Sequence, residues 1–193
     1  MKNEISYSEA KTLFDKYLKT EYLRFHSRES EVIMRKLANK LGEDEEFWGI
    51  TGLLHDLDID TIDEDYSKHG YKTVDILFNE GFNIPKMFAA IISHTEGVEG
   101  HKERRETKLD YCLAAAENLT GLISAYVLLR PGKKIAGTKA KSITKKFKSK
   151  SFAASVNREF INDITKVTDL PRNEFFQLAV DAMSEIADEI GMD

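Results

Sequence analysis

The chain has 193 residues, a formal net charge of -5 and one cysteine. That length suits one domain, or one domain with a helical extension, and suffices to bury a sizeable core. The lone Cys112 excludes an internal disulfide and a thiolate cluster for structural zinc, so any metal must be held by nitrogen and oxygen.

The acidic balance disfavours nonspecific binding of nucleic acid by the chain as a whole. No apolar run reaches the length of a membrane span, and the amino terminus is too polar for a secretory signal. The expectation is a soluble cytoplasmic protein with no membrane partner. Charge is unevenly spread: between Glu43 and Asp65 every ionised side chain is acidic, whereas from Lys133 to Lys150 every charged side chain is a lysine. Such runs are ordinarily solvated faces, although the first flanks His55-Asp56 and the second could hold an anion.

Few β-branched alternations and three prolines predict helices joined by short turns. Ala10, Leu13, Phe14, Tyr17 and Leu18 recur at helical spacing from Ser8 onward. A second helix is predicted to start near His26-Ser27, with Val32, Ile33, Leu37 and Leu41 inward and Gly42 as its stop. Glu43 to Glu46 suit the start of a third, which runs through Trp48, Ile50 and Leu54 to His55 and Asp56. Neighbouring helical positions point about 100° apart, so one ion can use both side chains only at a helix end or with ligands from other elements. Asp58 and Asp60 read as turn or cap residues, Asp58 being close enough to support a ligand.

Further helices are predicted from about Ser67-Lys68-His69 to Gly81 and from Ile84-Pro85 to His94. On this reading His26, His55, His69 and His94 all stand at element ends, which core packing alone does not explain. The polar stretch from Gly97 to Glu106 reads as a loop, with His101 exposed or on a mobile lid. A long helix follows from Thr107 to Leu129, carrying Glu117 beside its apolar stripe, where a carboxylate calls for a cation or hydrogen-bond donors. Beyond Arg130-Pro131-Gly132 the lysine segment has Ile135, Ile143, Phe147 and Phe152 as anchors. Helices at about 153–167 and 171–190 end the chain. The expected organisation is a helical domain over 1–130 and a lysine-rich segment with carboxy-terminal helices over 131–193, packed on the same domain.

The order His26, His55-Asp56, His69, His94 and Glu117 within Ala114-Ala115-Ala116-Glu117-Asn118-Leu119 resembles the HD superfamily of metal-dependent phosphohydrolases, over about residues 20–130. The resemblance implies an all-α HD-type helical bundle with a helical carboxy-terminal extension. It implies that His26, His55, Asp56 and Glu117 surround one metal, and that His69 and His94 hold a second, with Asp56 as the bridge. One or two divalent transition ions (Fe, Mn, Zn, Co or Ni) suit such ligands. The implied reaction is hydrolysis of a phosphate ester or anhydride by a metal-held hydroxide, with Asp56 and His55 at the catalytic centre. The implied substrate is a small phosphorylated compound, with a nucleotide as the leading candidate and no sequence-specific nucleic acid.

Two departures stand out. The family's last ligand is usually Asp, and Glu117 extends the carboxylate by about 1.5 Å. Many relatives with two metals carry Lys four residues after the His of the pair, where this chain has Ile59, so a lysine-assisted mechanism has no support. Arg24, Arg28, Lys68, Lys72 and the lysines of 133–150 are the candidates to meet substrate charge. The alternatives are a di-iron oxygenase of the same superfamily and a degenerate domain that binds a nucleotide or protein partner without turnover. The oligomeric state stays open.

Overall fold

Ser6 accepts a hydrogen bond from the Glu9 N–H while the Glu9 carboxylate accepts from the Ser6 N–H. This reciprocal cap opens α1 (Tyr7–Tyr17) in the computed structural model, which describes residues 1–193. Next come α2 (Glu21–Leu41) and α3 (Glu45–Leu54). Gly42, at φ +72°, ends α2 in the left-handed conformation that glycine adopts without strain, and Asp44 caps α3 by accepting from the Phe47 N–H. So short a turn makes α2 and α3 an antiparallel hairpin, which brings the start of one beside the end of the other. Gly52 allows their close approach, because a Cβ there would lie 2.9 Å from the Ser30 carbonyl oxygen.

The chain then continues through α4 (Tyr71–Asn79), α5 (Pro85–Ser93), α6 (Lys108–Leu128), α7 (Ala140–Lys148), α8 (Arg158–Val167) and α9 (Arg172–Ser184). The protein is all-α, as expected. Its one β-type contact is an isolated bridge between Lys2 and Phe82. Thr107 and Asp110 form a reciprocal cap at the start of α6, and Pro85 occupies the first turn of α5, where its missing N–H costs nothing.

Two apolar cores result. One gathers Phe14 of α1, Ile50, Leu53 and Leu54 of α3, Leu77 of α4 and Ile91 of α5. The larger joins Ile33 and Leu37 of α2 to α6 and to Ile143, Phe147, Ile161, Ile164, Phe175 and Phe176 of α7–α9. Each such side chain contributes about 1.5–3 kcal/mol by leaving water. Helix α6 is the shared strut, touching α2, α3, α5, α7, α8 and α9. Contrary to the sequence expectation, α6 is long and apolar enough to cross a membrane by length and composition. Most of that apolar stretch is buried against the other helices.

Other differences have local causes. His26 is not at the start of α2 but in its second turn, because the helix begins five residues earlier. The chain entering it is fixed from far away: Asp60 accepts from the backbone N–H groups of Lys19 and Thr20 at 2.7 and 3.0 Å. The lysine segment contains a helix, α7, anchored by Ile143 and Phe147, four residues apart on its buried face. No helix covers 153–157, since Ala153 stands at φ +44°, outside the right-handed helical region, and Arg158 takes up the carbonyls of Ala153 and Val156. The last helix stops at Ser184, with turns beyond it.

Candidate metal centre

Four histidines reach one carboxylate. His26 enters from α2, His55 caps the end of α3 with Asp56 next to it, His69 precedes α4, and His94 caps the end of α5. The Nε2 atoms of His55, His69 and His94 lie 3.2, 3.4 and 3.4 Å from Asp56 Oδ1, and that of His26 lies 3.5 Å from Oδ2. His26 and His55 Nε2 are 3.2 Å apart, as are His69 and His94 Nε2. Asp56 thus belongs to two groups, with His26 and His55 and with His69 and His94, within each of which the ligand atoms lie within 4.8 Å of one another.

The other ring nitrogens fix the protonation pattern. His55 Nδ1 donates to the Gly52 carbonyl at 2.8 Å and His94 Nδ1 to the Ile91 carbonyl. His69 Nδ1 donates to Asp58 Oδ1 at 2.9 Å. Thr120 Oγ1 spends its proton on the Glu117 carbonyl at 2.6 Å, so it accepts from His26 Nδ1 at 2.8 Å. Every Nδ1 therefore carries the proton, and every Nε2 turns a lone pair inward. Lone pair faces lone pair in each histidine pair, and all four face a buried carboxylate whose Oδ1 has no hydrogen-bond donor.

Such an arrangement is repulsive unless a cation stands between the acceptors. Its spacing fits one. Two ligand atoms bound tetrahedrally at the usual zinc–imidazole length are separated by about 3.3 Å. The observed 3.2–3.5 Å separations match that value. The cluster can hold a metal ion, and its nitrogen-rich donor set suits a transition metal better than calcium.

The electrostatics agree. Burial pushes the His55 imidazole down to about 3 and that of His26 below its ordinary value against the opposing pull of Asp56, so both stay neutral donors. Burial pulls the Asp56 carboxyl upward, and positive charge among the surrounding imidazoles would outweigh it and hold the group well below the usual carboxylate range; with those rings neutral, that charge is left for a bound cation to supply.

Asp58 supports the cluster from behind. Besides fixing His69, it accepts from the N–H groups of Gly70 at 2.7 Å and Thr73 at 3.2 Å. Gly70 sits at φ +79°, where a side chain would be strained and a Cβ would meet the Ile91 carbonyl at 3.0 Å. His101 is tied down rather than free as a lid, through Thr95 Oγ1 at 2.6 Å and the Ser67 carbonyl at 2.9 Å.

Glu117 lines the same cleft as Asp56, His69 and His94, a space of about 500 Å³. Its carboxylate is not among the ligand atoms of either group and accepts from the Asn118 amide instead. Burial, reinforced by the charge on Asp56, holds the Glu117 carboxyl well above the carboxylate range.

Of the cations picked from sequence, Arg24 pairs with Asp15, Arg28 with Glu31 and Glu189, and Lys68 with Asp65, while Lys72 and the lysines of 133–150 form no ion pair and do not line the cleft. The cation that lines the cleft is Arg104, 3.1 Å from Glu96. Asn118, Asn157 and Phe160 also line it, and sequence reasoning missed them. Only Asn118, next to Glu117, carried a local signal.

Fold and cluster together define an all-helical protein with a buried His/Asp site able to hold metal. The family model for the HD domain matches residues 24–122, more than half of the chain, and the chain belongs to that family. This places it in a family of metal-dependent hydrolases. No match was found among curated proteins or among solved structures.

Proposed function

We propose that the protein is a metal-dependent phosphohydrolase that cleaves a phosphate ester or anhydride of a small phosphorylated compound. The observation that carries this reading is the set of four inward lone pairs around Asp56, divided into two groups that share its carboxylate. His26, His55 and Asp56 would hold one divalent ion and Asp56, His69 and His94 a second, and Glu117 would have to leave Asn118 to join either. Bound ions would supply Lewis-acid polarisation of a phosphoryl oxygen and a water acidic enough to act as nucleophile near neutral pH.

The chain's own groups do the rest. The Gly52 and Ile91 carbonyls, Asp58 and Thr120 keep the four imidazoles in the donor tautomer and at a fixed angle. Asp56 stays ionised, with Oδ1 toward His55, His69 and His94 and Oδ2 toward His26. Arg104 stands at the cleft to meet substrate phosphate, and the Phe160 ring, backed by the Arg105 guanidinium 3.7 Å from its centroid, is a flat apolar part of the cleft lining. A flat wall next to a cation suits a nucleotide, which is the substrate class to test first.

Phosphate release from a panel of nucleotides, sugar phosphates and pyrophosphate, with Mn, Fe, Co, Ni or Zn supplied in turn, tests the proposal. Turnover with redox-inert Zn supports hydrolysis. Iron-specific consumption of oxygen without phosphate release would replace this reading with an oxygenase.

A further inference from the structure

A second concave site lies away from the metal centre, and nothing in the proposed reaction uses it. Tyr126 of α6, Ser142, Lys145 and Lys146 of α7 and Ser149 at its end line a cavity of about 390 Å³. Tyr126 follows Glu117 by nine positions, about 13 Å of helix rise, so the cavity and the metal cleft share one helix but not one space.

The cavity lining is rich in donors and poor in acceptors. Three of the five residues carry hydroxyls and two carry ammonium groups, and no carboxylate lines the cavity. The hydroxyls of Tyr126, Ser142 and Ser149 make no hydrogen bond within the protein, in contrast to Thr120, Thr73 and Ser124, whose hydroxyls are engaged. Lys145 and Lys146 have no carboxylate within 4.0 Å, and neither do the other six lysines between Lys133 and Lys150. In a chain of net charge -5, eight lysines without one ion pair among them concentrate positive potential at this face.

The lining is also held in place. Ser149 is fixed through its carbonyl, which accepts from Arg158 at 3.1 Å and leaves the hydroxyl free. The Lys146 ammonium rests over the Phe152 ring, 4.5 Å from its centroid. Below them Ile143 and Phe147 are buried, which orients α7 so that its polar face meets Tyr126.

We infer that this cavity is a binding site for a phosphoryl group carrying at least two negative charges, held by the Lys145 and Lys146 ammonium groups and the hydroxyls of Tyr126, Ser142 and Ser149. Tetrahedral phosphoryl oxygens accept several hydrogen bonds at once, and charge-assisted bonds to ammonium groups are the stronger kind. A concave lining of five donors fits a small anion or a lipid phosphomonoester headgroup better than a long polyanion, which would need a stripe.

The test is a titration of the intact ¹⁵N-labelled protein with inorganic pyrophosphate at constant ionic strength, followed by amide shifts. Saturable shifts are expected at 126, 142, 145, 146 and 149, at least about tenfold weaker in K145Q/K146Q and weakened again in S142A/S149A. The rest of the K145Q/K146Q spectrum should stay unchanged, which separates lost binding from lost folding. Shifts confined to residues near His94 and Glu117 would mean that pyrophosphate binds only at the metal cleft and would overturn the inference. So would equal shifts from chloride at matched ionic strength, or tighter binding of a single-stranded oligonucleotide that spreads over all eight lysines. Co-sedimentation with vesicles containing phosphatidic acid, lost in K145Q/K146Q, would identify a lipid headgroup as the source of the phosphoryl group. Binding of pyrophosphate without vesicles would identify a soluble one.

Discussion

Arg158 and Asp56 are both charged groups set among polar neighbours, and they are satisfied in opposite ways. The five N–H donors of Arg158 meet five backbone carbonyls, of Phe147, Ser149, Phe152, Ala153 and Val156. Donors and acceptors match there, and the knot needs nothing from outside. At Asp56 an anion faces four nitrogen lone pairs and Oδ1 has no donor. A balanced polar cluster holds a fold together. An unbalanced one, kept at a cost in stability, marks the place where the protein takes up a partner of opposite charge.

The sharpest way to break that contrast is to remove each centre in turn. Asp56→Ala should abolish metal retention and lower phosphohydrolase activity at least about 10³-fold. The metal-free variant should melt no lower than metal-free wild type, because an uncompensated buried charge is gone. Elemental analysis, kinetics and calorimetry check the three parts. Arg158→Ala should do the reverse, costing about 2–4 kcal/mol of stability in denaturant while metal content per folded chain stays the same. Loss of metal in Arg158→Ala with stability unchanged would erase the distinction.

A smaller effect is expected behind the ligands. Asp58→Asn keeps the shape but removes the anion that orients His69 and caps Gly70 and Thr73, and should weaken metal affinity about 10–100-fold in a chelator competition. Half-occupancy with the first ion retained would place the loss in the group of His69 and His94.

Smallest is the effect of pH, where two buried groups act in opposite directions. The His55 imidazole lies at about 3 in the folded chain against 6.5 when free. Its contribution in metal-free protein is therefore complete above pH 6.5 and is lost as pH falls toward 3. Burial raises the Glu29 carboxyl to about 7 from 4.5, against the single hydrogen bond donated by Ser124. That contribution is complete below pH 4.5 and is lost as pH rises through 7. Glu29→Gln should accordingly be more stable than wild type at pH 8, by about 1–3 kcal/mol, and show little difference at pH 5. Melting curves at the two pH values read it directly.

Much of this was legible in sequence where the signal is local. Pro85, Gly42 and the apolar spacing between Thr107 and Leu129 placed helix ends within a residue or two. The five-part order of ligand-type residues pointed to the cluster before any fold was known. What failed depended on distant contacts. The start of α2 was misread because the residues leading into it are held by Asp60, forty residues away in the chain. Helix α7 hid behind its lysines because only two of its positions are buried. Arg104, Asn157 and Phe160 went unseen because nothing in their neighbours says that α8 and the loop after α5 close over the cleft. Glu117 reached the cleft but not the ligand groups, a matter of side-chain placement that motif order does not encode.

Anomalous diffraction from crystals of the untreated protein, collected across the absorption edges of Mn, Fe, Co, Ni and Zn, tests the central claim most directly. The expected map has one peak between Asp56 and the Nε2 atoms of His26 and His55, and a second between Asp56 and those of His69 and His94, each about 2.0–2.2 Å from its ligands. A map without peaks, in which water fills the space among the imidazoles and donates to Asp56 Oδ1, would contradict the account.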